Sequence, residues 1–385
     1  MSINLHGKIP SPIYINSKIG KVLSTFTVTF KDGDTVLQQV QVRQGGTAVY
    51  DGTVPAKDGN AFLGWVLSEP SNNIVDTDVF SEIIYQQIPN VQADIVCWTV
   101  YNNSAIIRDS WEVISQRSQA GTASNYYNVG DMKRIHIEGT VGTLAVNQDV
   151  YVYILGFDHN SELEGSGITF GCFKSINNLK DVALTDSYYP TSGRDGTKKF
   201  NMNHWGNANY GGWAGSDMRY DILGSTDVAP SGYGSALTSS RVGYNATSTC
   251  ATNPVANTLM SCLPSDLRTI LKPINKYTNN IGNSDDTGVA ITSTIDYLPL
   301  LSEYELLGRT AFADTHEKDK QAQYSYFANG NSKGIYKYSD GAWCLGWLRS
   351  PDKRNIQGFC VMRPDGMATN DFSWYSLGIF TVFLV

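Results

Sequence analysis

The sequence predicts a β-rich α+β chain of more than one domain. Its 385 residues exceed what one ordinary core holds, its 36 Gly and 22 Tyr imply many turns and aromatic faces, and period-2 alternation recurs along it. Charged residues are only 17% and the net charge is −7. Nucleic acid is therefore not an expected partner, because phosphate binding draws on clustered Lys and Arg. No apolar run of about 18 residues occurs, so no spanning helix and no membrane partner are expected. The opening Met1 to Pro10 has no apolar core of a secretory signal. The six cysteines, Cys97, Cys172, Cys250, Cys262, Cys344 and Cys360, lack paired zinc-site spacing and read as reduced, mostly buried thiols.

Residues 1–20, with Pro10 and Pro12 and no period, read as an arm that docks on a partner. Alternation then begins at Phe26 to Phe30 and resumes at Val36 to Val42, across Asp32-Gly33, which predicts a β-hairpin. Residues 21–104 form the first module, with Phe62-Leu63-Gly64-Trp65, a core Trp65 and a strand over Ala93 to Tyr101. The third segment, 105–385, opens on a helix over Asp109 to Ser118, capped by Asp109, with Trp111 and Ile114 inward. Strands are expected at Met132 to Glu138 and Asp149 to Phe157, and a compact helix at Ser265 to Leu271. The stretch from Leu184 to Asn257 has little period, so packed aromatics are expected to organise it. Gly358 to Met362 and Leu377 to Phe383 read as buried strands.

Val28, Phe30, Asp32, Gly33, Val40 and the Phe62-Leu63-Gly64-Trp65 group resemble the opening and core motifs of the internalin-type B-repeat, a small β-grasp-like module. That likeness spans about 80 residues and implies a spacer or docking module. From Asp109 onward the chain resembles a family of phage and bacterial domains of unknown function with a C-type-lectin-like fold, related to the variable proteins of diversity-generating retroelements. The elements that carry it occur in order: Gly121 to Asp131, Ile154 to His159, Ile168 to Phe170, Gly211 to Arg219, Leu263 to Lys276, Leu298 to Gly308 and Trp347 to Pro351. The insertion from Tyr220 to Ala256 and the closing Ile379 to Val385 depart from the family's pattern. Some members are tail-fibre adhesins that present variable side chains from a rigid scaffold. The resemblance thus implies a non-enzymatic virion protein, without a signal peptide, that binds a bacterial surface protein or glycan. Its arm would meet other virion proteins, and related fibres suggest a homo-oligomer, a trimer by analogy. A capsid or tail decoration protein is the alternative, and a bacterial surface adhesin a further one.

Composition singles out a C-terminal segment. Asp352 to Gln357 and Arg363 to Leu377 mix Trp, Tyr, Asn, Asp and Arg, the composition of a paratope, and are expected to be exposed between buried strands. The candidate ligand-binding residues are Arg354, Asn355, Asn370, Asp371, Trp374 and Tyr375. Trp343, Trp347 and Arg349 read as structural. Asp158, Asn160, Glu162 and Glu164 place oxygens at alternate positions, as Ca²⁺ prefers, but lack the Gly and terminal Glu of an EF-hand loop, and a solvated acidic loop is the favoured reading. His159 and His204 have no ligand partner at metal spacing and read as structural. Cys344 and Cys360 could meet across strands as the cysteine pair of a formylglycine-forming enzyme, a related fold, but their apolar setting reads as core. No hydrolase, P-loop or zincin motif is present, so no catalytic residue is expected.

Overall fold

A computed structural model describes residues 23–57, 59–185, 202–203, 208–228, 249–338 and 340–385. The arm 1–20 and His204 lie outside the described residues, as do parts of the 184–257 stretch. The chain divides into two compact units, Met1–Ser104 and Ala105–Val385. Both contain more strand than helix.

In the first unit, strands β1 (Thr25–Asp32), β2 (Thr35–Arg43), β3 (Phe62–Val66), β4 (Ile74–Val75) and β5 (Ile95–Asn102) form one mixed sheet in the order β2-β1-β5-β3. The β1–β2 hairpin turns at Gly33, whose φ of +54° suits glycine. Its inward side chains Val28, Phe30 and Val42 join Trp65 and Cys97 in the core. Trp65 is 1% exposed and meets the Phe30 ring edge-on at 4.6 Å. The glycine before it is required: Gly64 has φ +141°, and a Cβ there would lie 2.6 Å from the Tyr85 carbonyl oxygen.

The second unit adds β6 (Met132–Val141), β7 (Leu144–Phe157), β8 (Ile168–Ser175), β9 (Asp181–Ala183), β10 (Ile274–Asn279), β11 (Ile291–Asp296), β12 (Ile335–Lys337), β13 (Trp343–Cys344), β14 (Gly346–Pro351), β15 (Gly358–Met362), β16 (Ala368–Phe372), β17 (Gly378–Ile379) and β18 (Val382–Leu384). A large sheet runs β13-β12-β9-β8-β7-β6 with β18 also on β8; a smaller sheet runs β16-β15-β14-β17; β10 and β11 pair alone. The run Val150 to Leu155 suits the place of β7 inside the sheet, between β6 and β8. Val150, Val152 and Ile154 face one apolar cluster while Tyr151, Tyr153 and Leu155 face the other, so both faces of the strand are buried.

Helices are short: among the described residues α1 (Trp111–Gln119) is the longest, and α2 (Ser161–Glu164), α3 (Leu259–Cys262), α4 (Ser265–Arg268), α5 (Glu303–Leu307) and α6 (Ser325–Ala328) are about one turn each. Three expectations need correction here. Ser110, not Asp109, caps α1, accepting from the Val113 N–H; Asp109 instead pairs with Arg117 and the Tyr127 hydroxyl. The helix expected to reach Leu271 stops at Arg268, because Lys272 precedes Pro273 and its N–H bonds to the Leu384 carbonyl. Leu377 to Phe383 is not one strand. Ile379 pairs with β14 in the small sheet while Val382 pairs with β8 in the large one, so the segment crosses between sheets at Phe380-Thr381.

Among the described aromatics within 184–257, Trp213 and Tyr220 are buried and Tyr210 is exposed, and Trp213 donates its indole N–H to Asp296 at 3.0 Å. All six cysteines are free and buried. Cys344 and Cys360 lie on β13 and β15, in different sheets, and burial pushes the Cys360 thiol well up.

Candidate binding surface

The site begins at a buried ion cluster beneath β14. That strand bulges, with Trp347 opposite Val361 but Pro351 opposite Phe359, and the extra residues turn Arg349 fully inward. Arg349 forms a two-pronged pair with Glu305, and Lys276 bonds to Glu305, Glu164 and the Tyr324 hydroxyl. Glu305 also completes a capping box with Ser302 at the start of α5. Burial would raise the Glu305 carboxyl, but Arg349 and Lys276 overcome it and hold it far below the usual range. Burial likewise opposes the charge on Lys276, and Glu164 and Glu305 outweigh it.

From this cluster, rigidity passes outward through backbone. Glu303 accepts from the N–H groups of Ala311, Phe312 and Ala313 at 2.7–3.0 Å. Phe312, so fixed, lies under the guanidinium of Arg354, 3.8 Å from its centre, and its carbonyl accepts from Lys353 N–H. Asp352 is fully buried and joins two parts of the surface: it accepts from the Arg354 N–H and from the Asn370 amide on β16. Burial raises its carboxyl, partly offset by those bonds.

Sequence reasoning missed Asn209, which clamps the 352–358 loop. Its amide donates to the carbonyls of Asp352, Asn355 and Gly358, its N–H bonds to the Ile356 carbonyl, and its side-chain oxygen accepts from Asn283 N–H. No local pattern could signal this, since the loop carbonyls lie 143 to 149 residues on and Asn283 lies 74 on. Gly282 makes room for it: with φ +69°, a Cβ there would lie 2.0 Å from the Asn209 carbonyl oxygen. Asn209→Ala is expected to cost about 1–3 kcal/mol, since buried carbonyls lose their donor, and to raise amide exchange across 352–358. Unchanged exchange in that loop would count against the clamp.

The six candidate residues divide by exposure. Arg354 is exposed, its side chain 53% open. Asn370, Asp371 and Tyr375 are half-buried; Asn370 and Asp371 lie on β16, the edge strand of the small sheet. Asn355 is also half-buried, but its side chain accepts from Gln357 N–H and shapes the loop. Trp374 must be corrected: it is 8% exposed and stacks on Phe372 with centroids 4.3 Å apart, while Tyr375 meets both rings edge-on. The stretches expected to be exposed are only partly so, because Asp352, Ser373, Trp374, Ser376 and Leu377 are buried.

Trp343 is the reverse correction. Expected to be structural, it is 64% exposed, because β13 is a two-residue edge strand whose alternation sends Cys344 inward and Trp343 out. Beside it lies a groove of about 760 Å³ lined in part by Lys337, Leu345, Arg363, Asp365 and Leu377. The β15–β16 hairpin separates the two regions: its Gly358–Phe372 end adjoins the Arg354 loop, and its Met362–Ala368 end leads into the turn that carries Arg363 and Asp365. Those ends are about 14 Å apart at ordinary strand rise.

The acidic alternation is also not gathered as a cation site. Asp158 accepts from Gly167 N–H, Asn160 donates to Glu164 and the Lys320 carbonyl, and Glu164 is buried against Lys276. Among the described residues, Asp286, Asp314 and His316 do bring ligand atoms within 4.8 Å, but Thr315, His316 and Asn279 already donate to those carboxylates. His159 stacks on Tyr324 at 3.6 Å, and burial pushes it down to about 3, so it stays neutral. Trp347 and Arg349 are fully buried, as a structural role requires.

No family model matches the chain, and comparison with curated proteins and with solved structures found no match.

Proposed function

We propose that this chain is a non-enzymatic phage virion protein whose second unit, with a C-type-lectin-like fold, displays a binding face to a bacterial surface. One observation carries most weight: exposed Arg354 and half-buried Asn370 are tied together through buried Asp352, with the Arg354 guanidinium over the Phe312 ring, and half-buried Asp371 and Tyr375 lie next to Asn370 on β16 and just after it. Pre-organised aromatic, amide and guanidinium groups bind at low ordering cost, which is what an adhesin needs. The return of β18 into the large sheet, beside a small sheet that carries the display hairpin, supports a lectin-like scaffold. The first unit, with a parallel β1–β5 pair at the centre of its sheet, fits a β-grasp-like docking module. Its arm would join other virion proteins, and a homo-oligomer would multiply weak contacts into avidity.

The test is adsorption of the labelled full chain to a panel of bacterial strains. Arg354→Ala combined with Tyr375→Ala should lower binding at least tenfold while leaving the unfolding transition in place. Undiminished adsorption by that double variant would sink the reading. Trp374→Ala is unsuitable as a binding test, because a buried stacked ring also supports the fold.

A further inference from the structure

Trp343 presents most of its surface to solvent at the 760 Å³ groove, which it lines. Small-molecule clefts span about 300–1,000 Å³, so the groove suits a short oligomer of small rings better than a protein face. Its composition narrows the ligand. An indole face carries partial negative charge and attracts the weakly positive C–H groups of a flat saturated ring. The apolar side chains Leu345 and Leu377 line the same groove. Polar groups at the lining, Lys337, Arg363 and Asp365, would serve a ligand bearing hydroxyls.

Charge adds a further constraint. Arg363 pairs with Asp365 at 2.7 Å, and among the described residues Lys337 has no ion-pair partner. The groove therefore carries an unspent positive charge on a chain of net charge −7, where a ligand carboxylate is favoured.

The geometry points to this groove as a saccharide site for an acidic pyranose, its C–H face on Trp343 and its carboxylate drawn to Lys337. It rests on the bacterial-surface reading, and locates the glycan contact at the Met362–Ala368 end of the hairpin, away from Arg354.

The test uses the full chain on an array of oligosaccharides ending in uronic, nonulosonic or 2-keto-3-deoxy acids, each beside its carboxyl-reduced counterpart. Acidic members should bind at least tenfold more tightly than the reduced ones. Trp343→Ala should lose at least tenfold on both, whereas Lys337→Gln should weaken the acidic member to the level of the reduced one and leave the latter unchanged. Both positions are at or near the surface, and an unaltered unfolding transition for each variant confirms the fold. Absence of binding to every acidic sugar, equal binding of the reduced sugars, or indifference to Trp343→Ala overturns the proposal. Adsorption to bacterial strains is scored with the same variants. Cells that bind the chain while the array stays blank overturn the saccharide site and leave the adhesin reading standing.

Discussion

Glu305→Ala is expected to remove about 3–5 kcal/mol of stability, the cost of breaking a buried ion pair by deleting one partner. The reason is the number of groups it leaves behind. Arg349 and Lys276 both keep a positive charge in an interior where neither is exposed, and Lys276 retains only Glu164 as a counter-charge. The Ser302 N–H loses its acceptor at the helix start as well. Glu305→Gln keeps the shape and one acceptor oxygen but lacks the charge, and should fall between the two proteins. A urea midpoint for Glu305→Ala within error of the parent would show that water or rearrangement compensates the charges. The expected loss should extend to the surface: Glu303, two residues earlier on α5, holds the Phe312 segment on which Arg354 rests. Adsorption should weaken along with stability.

How far the sequence revealed this arrangement depended on how far apart the partners lie. The β1–β2 hairpin was legible because its alternation and its Asp32-Gly33 turn are local, and the strand at Val150 to Leu155 because an unbroken apolar run needs two buried faces. Arg354 was legible as a polar loop residue beside an aromatic-rich segment. Exposure of the two tryptophans was not. Trp343 faces out because β13 falls at the edge of the large sheet, and Trp374 is covered because Phe372 stacks on it after the strand turns; strand order and turn geometry decide both, and residue type decides neither. The reading of Asp158 to Glu164 as a solvated acidic loop failed in part, at Glu164, for the same reason. Its alternation is real, but Lys276, 112 residues away, takes Glu164 inward. Long-range polar pairing overrode a local pattern there; at Asn209 it acts where there was no local pattern to read.

Buried carboxylates also set a pH dependence, in which stability should be greatest near pH 5 and lower at pH 7.5. Glu317 is fully buried; burial raises its carboxyl from 4.5 to about 7, against bonds from Ser350 and the nearby charge of Arg349. Asp221 is raised by burial from 3.8 to about 7. Between their ordinary values and about 7 the folded chain holds protons that the unfolded chain has released, so folding weakens as pH rises through that window. His159, pushed down to about 3 by burial, refuses the proton that the unfolded chain takes up below 6.5, so it costs stability as pH falls and offsets part of that gain. Glu305 acts in the same opposing direction. Its depressed carboxyl contributes stability that is complete above 4.5 and is lost as pH falls below it. The two trends leave a maximum between them. For Glu317 alone the shift corresponds to ~3 kcal/mol at one pH unit per 1.36 kcal/mol. Glu317→Gln removes the titrating group, so the fall in urea midpoint between pH 5 and pH 7.5 should shrink by a large part. A parent midpoint that is higher at pH 7.5 than at pH 5 would show instead that Ser350, Gln321 and the Asn279 N–H, which all donate to Glu317, keep it ionised in the folded chain.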